Sequence, residues 1–182
     1  MNVPNIISLA RLCVVPIIFW LILSGNMEIA FWVTLVAAIS DALDGIIAKS
    51  FNLVTVLGGY LDPIADKTLL VFTYIALWQQ GYLPDWLVIL VVFRDIVIIT
   101  GALSFHLMTQ SLEMSPIMLS KINTFAQLVL ALSILASEGL SFDDSGFRQI
   151  MIYGVGASTV FSGCIYIIIW SQKASDIEKR KI

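Results

Sequence analysis

Charge is scarce in this chain: of 182 residues only 13% are Asp, Glu, Lys or Arg, about half the share of an ordinary soluble domain. With 59% of its residues hydrophobic, the chain is not expected to fold as a soluble globule. Basic residues are fewer than acidic ones, 10 against 13, and no basic stripe occurs, which excludes nucleic acid as a partner. Histidine occurs once, at His106 near a predicted helix end, where an interfacial structural role is expected rather than catalysis. The two cysteines, Cys13 and Cys164, sit inside apolar runs and are expected to be buried small hydrophobes, not redox or metal groups. No internal repeat or low-complexity segment is present.

Long apolar runs fill the chain. Allowing for turns, it supplies six segments of about the 20 residues that a bilayer-spanning helix needs. The expected spans are 6–23, 28–49, 58–79, 84–107, 116–136 and 147–170, with a short charged tail over 171–182. Ser24, Gly25 and Asn26 end the first span, and Gly81 and Pro84 break the chain between the third and fourth. Arg11 lies inside the first apolar run and no small-residue cleavage site follows, so that run reads as a span and not as a signal peptide. The fold class expected is all-α, one polytopic membrane domain of six transmembrane helices. Arg11, Lys49, Lys67, Arg94, Lys121, Lys173, Lys179, Arg180 and Lys181 then fall on one side, and only Arg148 on the other. By the positive-inside rule both termini face the cytoplasm, or the matrix of an organelle. Trp78, Tyr82, Trp86 and Trp170 lie near span ends and read as an aromatic belt.

Carboxylates stand where lipid would be. Asp41 and Asp44 lie in the second span, Asp62 and Asp66 in the third, at depths where an unmatched charge costs a few kcal/mol or more. Spacings of three and four residues put each pair on one helix face. Antiparallel packing of the two spans brings all four to one level, roughly 6 to 12 Å inside the bundle end. Four convergent carboxylates repel one another unless protons or cations neutralise them. Oxygen-only ligands suit Mg²⁺, Mn²⁺ or Ca²⁺ and not Zn²⁺, and a bridged pair of divalent ions fits best. Gly45, Gly58 and Gly59 clear space for a bulky ligand, and Lys49 and Lys67 supply cations for phosphate oxygens. Together these features point to a pyrophosphate substrate. The bland alternative makes the aspartates helix-packing glue or a proton path, and the glycines mere helix contacts.

The segment from Asp41 to Asp66, DALDGIIAKSFNLVTVLGGYLDPIAD, resembles the CDP-alcohol phosphotransferase signature DxxDGxxARx8GxxxDxxxD, with every spacing matched. The one departure is Lys49, where the family usually has Arg, a change that keeps the charge but loses the planar fork. The resemblance implies the family's helical membrane bundle and a metal-dependent transfer of a substituted phosphate from a CDP-linked donor to a hydroxyl, releasing CMP. It implies Asp41, Asp44 and Asp62 as ligands of Mg²⁺ or Mn²⁺, two ions per site, with Asp66 as general base and shared ligand. It also implies that Gly45, Ala48, Lys49 and Gly58 border the CDP moiety. Asn5, Ser8 and Arg11 are similar to the family's NxxTxxR element, with Ser for Thr.

Two further segments, FRDIVIITGA (Phe93 to Ala102) and SPIMLSKINTFAQLVL (Ser115 to Leu130), look most like the mitochondrial-type cardiolipin synthases of that family. In those the donor is CDP-diacylglycerol and the acceptor phosphatidylglycerol, in a bacterial or mitochondrial inner membrane. Related chains that make phosphatidylglycerophosphate tend to carry Glu at the position of Asp95. Arg94, Asp95 and Lys121 are therefore candidates for the acceptor site; alternatively Arg94 pairs internally with a carboxylate while Lys121 snorkels to the headgroups. Gly154, Ser158 and Ser162 form a small-xxx-small stripe that reads either as a homodimer seam or as packing within the monomer. Two competing functions remain: the same chemistry with glycerol 3-phosphate as acceptor, and an ion or proton transporter built on the aspartates. A transporter usually has a repeated half, whereas here the first three spans hold four intramembrane aspartates and the last three only Asp95.

Overall fold

In a computed structural model the chain forms α1 (Val3–Leu23), α2 (Met27–Ser50), α3 (Val56–Gln79), α4 (Asp85–Thr109), α5 (Met118–Leu140) and α6 (Phe147–Lys179), with no strand among the described residues. The structure describes residues 3–50, 56–109, 118–141, 144 and 146–179, and the side chains of 9–41, 67–101, 118, 120–141, 144 and 146–169. The breaks fall at the expected turn formers. Gly25, at φ +75°, lets the Asn26 amide reach back to Leu21 O at 2.9 Å, and Gly81, at φ +80°, does the same for Tyr82 and Leu77 O at 3.0 Å. Both closures satisfy carbonyls that a helix C-terminus otherwise leaves without donors. Gln80 adds to this from outside α1: its Nε2 donates to Ile22 O and Leu23 O, so the end of α3 caps the end of α1.

α3 lies at the centre of the packing. It packs against α1 most extensively and also meets α4 and α5; α2 covers α1 and α5, and α6 covers α4 and α5. The core between them is made of Ile18, Ile22, Tyr74, Leu77, Leu87, Val91, Leu130, Ile134, Leu135 and Val155. A polar stripe on α5 stitches this core together. Asn123 Oδ1 accepts from Ser158 Oγ at 2.6 Å and Thr159 Oγ1 at 3.0 Å, and the Tyr74 hydroxyl donates to Gln127 O at 3.0 Å. Hydrogen bonds of this kind specify helix register where apolar surface alone discriminates poorly between helix and lipid.

Two sequence expectations change, and one open alternative narrows. Cys13 and Cys164 are exposed and not buried, because in a bundle bathed by hydrocarbon a small hydrophobe is as stable facing outward as inward. α6 runs for 33 residues, through most of the charged segment taken as a tail, since no glycine or proline interrupts Ser171 to Lys179. In the small-residue stripe, Ser158 and Ser162 bond within the chain to Asn123 and Arg94, which is packing inside the monomer; only Gly154 is left facing out.

Among the described residues, Ser120–Leu140 and Phe147–Ile169 are long and apolar enough to cross a membrane, and Leu9–Leu23 is a shorter apolar helical stretch.

Gly139, near the end of α5, packs directly on the backbone at the start of α2. A Cβ there falls 2.5 Å from Glu28 N and 2.7 Å from Glu28 Cα, whereas one at Gly156 crowds only side chains, the ring of Trp86 at 2.7 Å, which is partly exposed and can swing aside, with Leu87 Cδ1 at an ordinary 3.7 Å. Gly139→Val is expected to lower stability by about 1–3 kcal/mol, the usual cost of overpacking, and Gly156→Ala by much less. Thermal unfolding of the two variants in detergent checks this; equal losses would count against the close α2–α5 contact.

Candidate active site

The signature aspartates lie on the C-terminal half of α2 and the N-terminal half of α3, which the 51–55 connection joins. The side chain of Asp41 is described. It is 41% exposed and forms an ion pair with Arg11 of α1, whose own side chain is only 4% exposed. Arg11 thus offsets part of the negative charge of the signature from a neighbouring helix. The side chains of Asp44, Asp62 and Asp66, and those of Gly45, Ala48, Lys49 and Gly58 around the expected CDP contact, lie outside the described residues. Their residue types suit a hard divalent cation: carboxylate oxygens with no sulfur or imidazole in the set. Beside Arg11 an apolar groove of about 360 Å³ opens between α1 and α2, lined by Val14, Trp32 and Val36 among others.

Beginning at Lys67, the residue after Asp66, a second charged cluster joins four helices. Lys67 Nζ lies 2.9 Å from Asp95 Oδ1 and 3.2 Å from Thr124 Oγ1. Arg94 Nη1 donates to the same Asp95 oxygen at 2.7 Å, and Nη2 to Ser120 Oγ at 2.6 Å and Ser162 Oγ at 2.8 Å. Its guanidinium also stands 5.9 Å from the ring centroid of Tyr166, within range of a cation–π contact. Arg94 and Asp95 are almost wholly buried, at 3% and 2% exposure. Neighbours along a helix point about 100° apart, so it is the length of the arginine that lets the two meet. Of the three residues singled out for an acceptor, the structure joins Arg94 and Asp95 and leaves Lys121 exposed, one residue along α5 from Ser120.

Sequence reasoning assigned no role to Ser120, Thr124 or Ser162 in this cluster, and it read Arg11 and Lys67 without their carboxylate partners. Each contact spans helices far apart in the chain, and no local spacing signals it.

At the opposite end of the bundle one cation bonds to two carboxylates. Arg148 donates to Asp144 at 2.6 Å, to Glu138 at 2.7 Å and to Ser137 at 2.9 Å, and it lies over the Tyr82 ring at 5.7 Å. Trp86 and Tyr153 stack nearby at 6.0 Å, and Trp78 Nε1 donates to Asp85 at 2.6 Å. Burial, and after it the Glu138 carboxylate that accepts its hydrogen bond, push the Tyr82 phenol above its ordinary range, with Arg148 opposing. This end reads as a structural clamp between α5, α6 and the α3–α4 turn. Arg148→Ala is expected to cost roughly 1–2 kcal/mol of stability, in the range of charge-assisted bonds in partly exposed settings. It is expected to leave substrate KM values unchanged. A shift in KM with stability unaltered, measured on the purified variant, would move function to this end.

Comparison with known proteins agrees with the signature. A family model described as CDP-alcohol phosphatidyltransferase matches residues 1–161. Over 181 residues the chain is 31% identical to a cardiolipin synthase (CMP-forming) of Rattus norvegicus, an overlap covering 91% of this chain and 60% of that protein. The human cardiolipin synthase (CMP-forming) matches at 30% with the same coverage. The CDP-diacylglycerol--glycerol-3-phosphate 3-phosphatidyltransferase of Bacillus subtilis is 32% identical over 182 residues, 91% of this chain and 93% of that one. The chain therefore spans about 60% of the length of the mammalian relatives and nearly all of the bacterial one. With the family model covering most of its length and the four-aspartate signature intact, this chain belongs to the CDP-alcohol phosphatidyltransferase family.

Proposed function

We propose that the chain is a membrane-embedded, metal-dependent phosphatidyltransferase. In this reading it transfers the phosphatidyl group of CDP-diacylglycerol to a hydroxyl of phosphatidylglycerol, giving cardiolipin and CMP. The observation that carries it is the unbroken spacing of Asp41, Asp44, Gly45, Gly58, Asp62 and Asp66 along the C-terminal half of α2 and the N-terminal half of α3. The acceptor hydroxyl oxygen forms a bond to the phosphatidyl phosphorus as the bond from that phosphorus to the CMP oxygen breaks. Asp66 takes the hydroxyl proton, and CMP leaves with the bridging oxygen. Asp41, Asp44 and Asp62, with Asp66 shared, would hold two Mg²⁺ or Mn²⁺ ions. Bound there, such ions neutralise pyrophosphate oxygens and the leaving phosphate. Gly45, Ala48 and Gly58 border the CDP moiety, and Lys49 contacts its phosphates. The apolar groove beside Arg11 and Asp41 supports a lipid donor, since an acyl chain fits a narrow apolar slot and a free nucleotide does not.

We place the acceptor at the Arg94–Asp95 end of the site, with Lys121 at its mouth. Phosphatidylglycerol carries one phosphodiester charge and needs modest cationic help and a lateral opening to lipid. Glycerol 3-phosphate, a small dianion, needs several cations at a water-facing mouth. Arg94 is already bonded to Asp95, Ser120 and Ser162, so few cations remain, and this favours the diester. The six helices form one integral membrane domain in this reading, with both termini on the cytoplasmic or matrix face of an inner membrane, because the basic residues gather at that end.

Incubating purified protein and Mg²⁺ or Mn²⁺ with CDP-diacylglycerol and either acceptor, then identifying the lipid by mass spectrometry, tests the assignment. Cardiolipin is expected; abundant phosphatidylglycerophosphate with no cardiolipin would replace the acceptor and leave the transferase reading standing. Lack of any CMP release with either acceptor would remove the transferase reading itself.

Asp62→Asn is expected to cut turnover a hundredfold or more while the protein stays folded, the order of loss when one charge that stabilises the transition state is removed. Retention of more than about a tenth of the wild-type rate at saturating metal would count against Asp62 as a ligand.

A further inference from the structure

The cluster of Lys67, Arg94 and Asp95 contains two cations that differ in what they have left to offer. Arg94, at 3% exposure, is surrounded by protein: Asp95 and two serine hydroxyls take its terminal nitrogens, and Tyr166 lies over the guanidinium. It has no open forked edge to present to a phosphate.

Lys67 is placed otherwise. Its side chain is 17% exposed, and its two partners, Asp95 Oδ1 and Thr124 Oγ1, occupy two of the three N–H donors of an ammonium group. The threonine is set to accept, because its own proton goes to Ser120 O at 3.1 Å. Held from α4 by a carboxylate and from α5 by a hydroxyl, the ammonium is fixed in direction with one donor to spare. Among the described residues the cluster carries two positive charges against the one of Asp95, and both cations converge on the same oxygen of that carboxylate. In a low-dielectric bundle such an excess is costly until an anion meets it. Lys67 directly follows Asp66 in α3, so the backbone that carries it adjoins the proposed site.

We propose that Lys67 is the cation of this cluster that binds a substrate phosphate, and that Asp95, braced by Arg94, is the residue that positions it. The inference rests on the phosphatidyltransfer reading for its substrates. Phosphate chemistry is common to the donor pyrophosphate and the acceptor phosphate, and the two are separated by which affinity changes.

Lys67→Met is the variant of choice. It removes the excess charge and leaves Arg94 and Asp95 as a balanced pair, so folding is not threatened; Lys67→Gln serves as a second variant of different packing. Steady-state kinetics on the purified full chain with Mg²⁺ would vary CDP-diacylglycerol and the active acceptor independently. The expected result is a rise of about tenfold or more in one KM with a smaller change in kcat, as for a contact made in ground and transition states alike. A rise on the acceptor axis assigns the acceptor phosphate; a rise on the donor axis assigns the pyrophosphate. Lys67→Arg should recover much of the loss. Asp95→Asn should raise the same KM to a lesser degree, which a purely structural role would not do. Both KM values within twofold of wild type in a folded Lys67→Met or Lys67→Gln protein would overturn the inference while leaving the transferase reading intact. Should the wild type release no CMP, native mass spectrometry of bound phosphatidylglycerol and CDP-diacylglycerol decides in its place. A loss of about tenfold in affinity for either lipid in Lys67→Met supports the site, and unchanged binding of both overturns it.

Discussion

A guanidinium held away from water must find its counter-charge inside the protein, and the Arg94–Asp95 contact meets that requirement at the junction of α4, α5 and α6. Much else follows from it. Asp95 is held by Arg94 and in turn holds Lys67 of α3, so one carboxylate sets the relative placement of two cations. Ser120 and Ser162 both accept from Nη2 of the arginine and thereby tie α5 and α6 to α4. Replacing one member would strand another, because a buried charge without its partner costs several kcal/mol.

The two ends of the bundle use charge in different ways. Around Arg148 the two carboxylates of Glu138 and Asp144 outnumber the one cation, which bonds to both and lies against the face of Tyr82. Around Lys67 the described charges are unbalanced in the other sense. Arg11 offsets Asp41, while Lys67 and Arg94 share a single carboxylate oxygen. Incomplete internal matching is what a site for a charged ligand requires, since a fully satisfied network has nothing left to bind with.

Most of the helical plan was legible in the chain. Apolar runs set the helices, and Gly25 and Gly81 marked two ends because a left-handed residue closes a helix with little strain only where there is no Cβ. The Asp41-to-Asp66 spacing carried the family, since four carboxylates in fixed register on adjoining helix segments are rare without a ligand to hold. Reading the apolar runs erred where lipid and core look alike. Cys13 and Cys164 face outward, and hydropathy has no means of separating a residue that packs on protein from one that packs on hydrocarbon. The continuation of α6 past its apolar part was missed for a related reason: hydropathy marks where a span ends, whereas a helix ends only where its backbone is interrupted.

The sequence by itself determined the composition of a membrane bundle, the places where its helices break and the register of the signature, because these depend on neighbours within a few residues. The tertiary structure alone decided partnership. Arg11 meets Asp41 across 30 positions, Lys67 meets Asp95 across 28, and Arg94 reaches Ser162 across 68. Such pairs arise from how helices turn toward one another, and a side chain's direction around a helix in lipid is set by the polar groups that other helices bring to it.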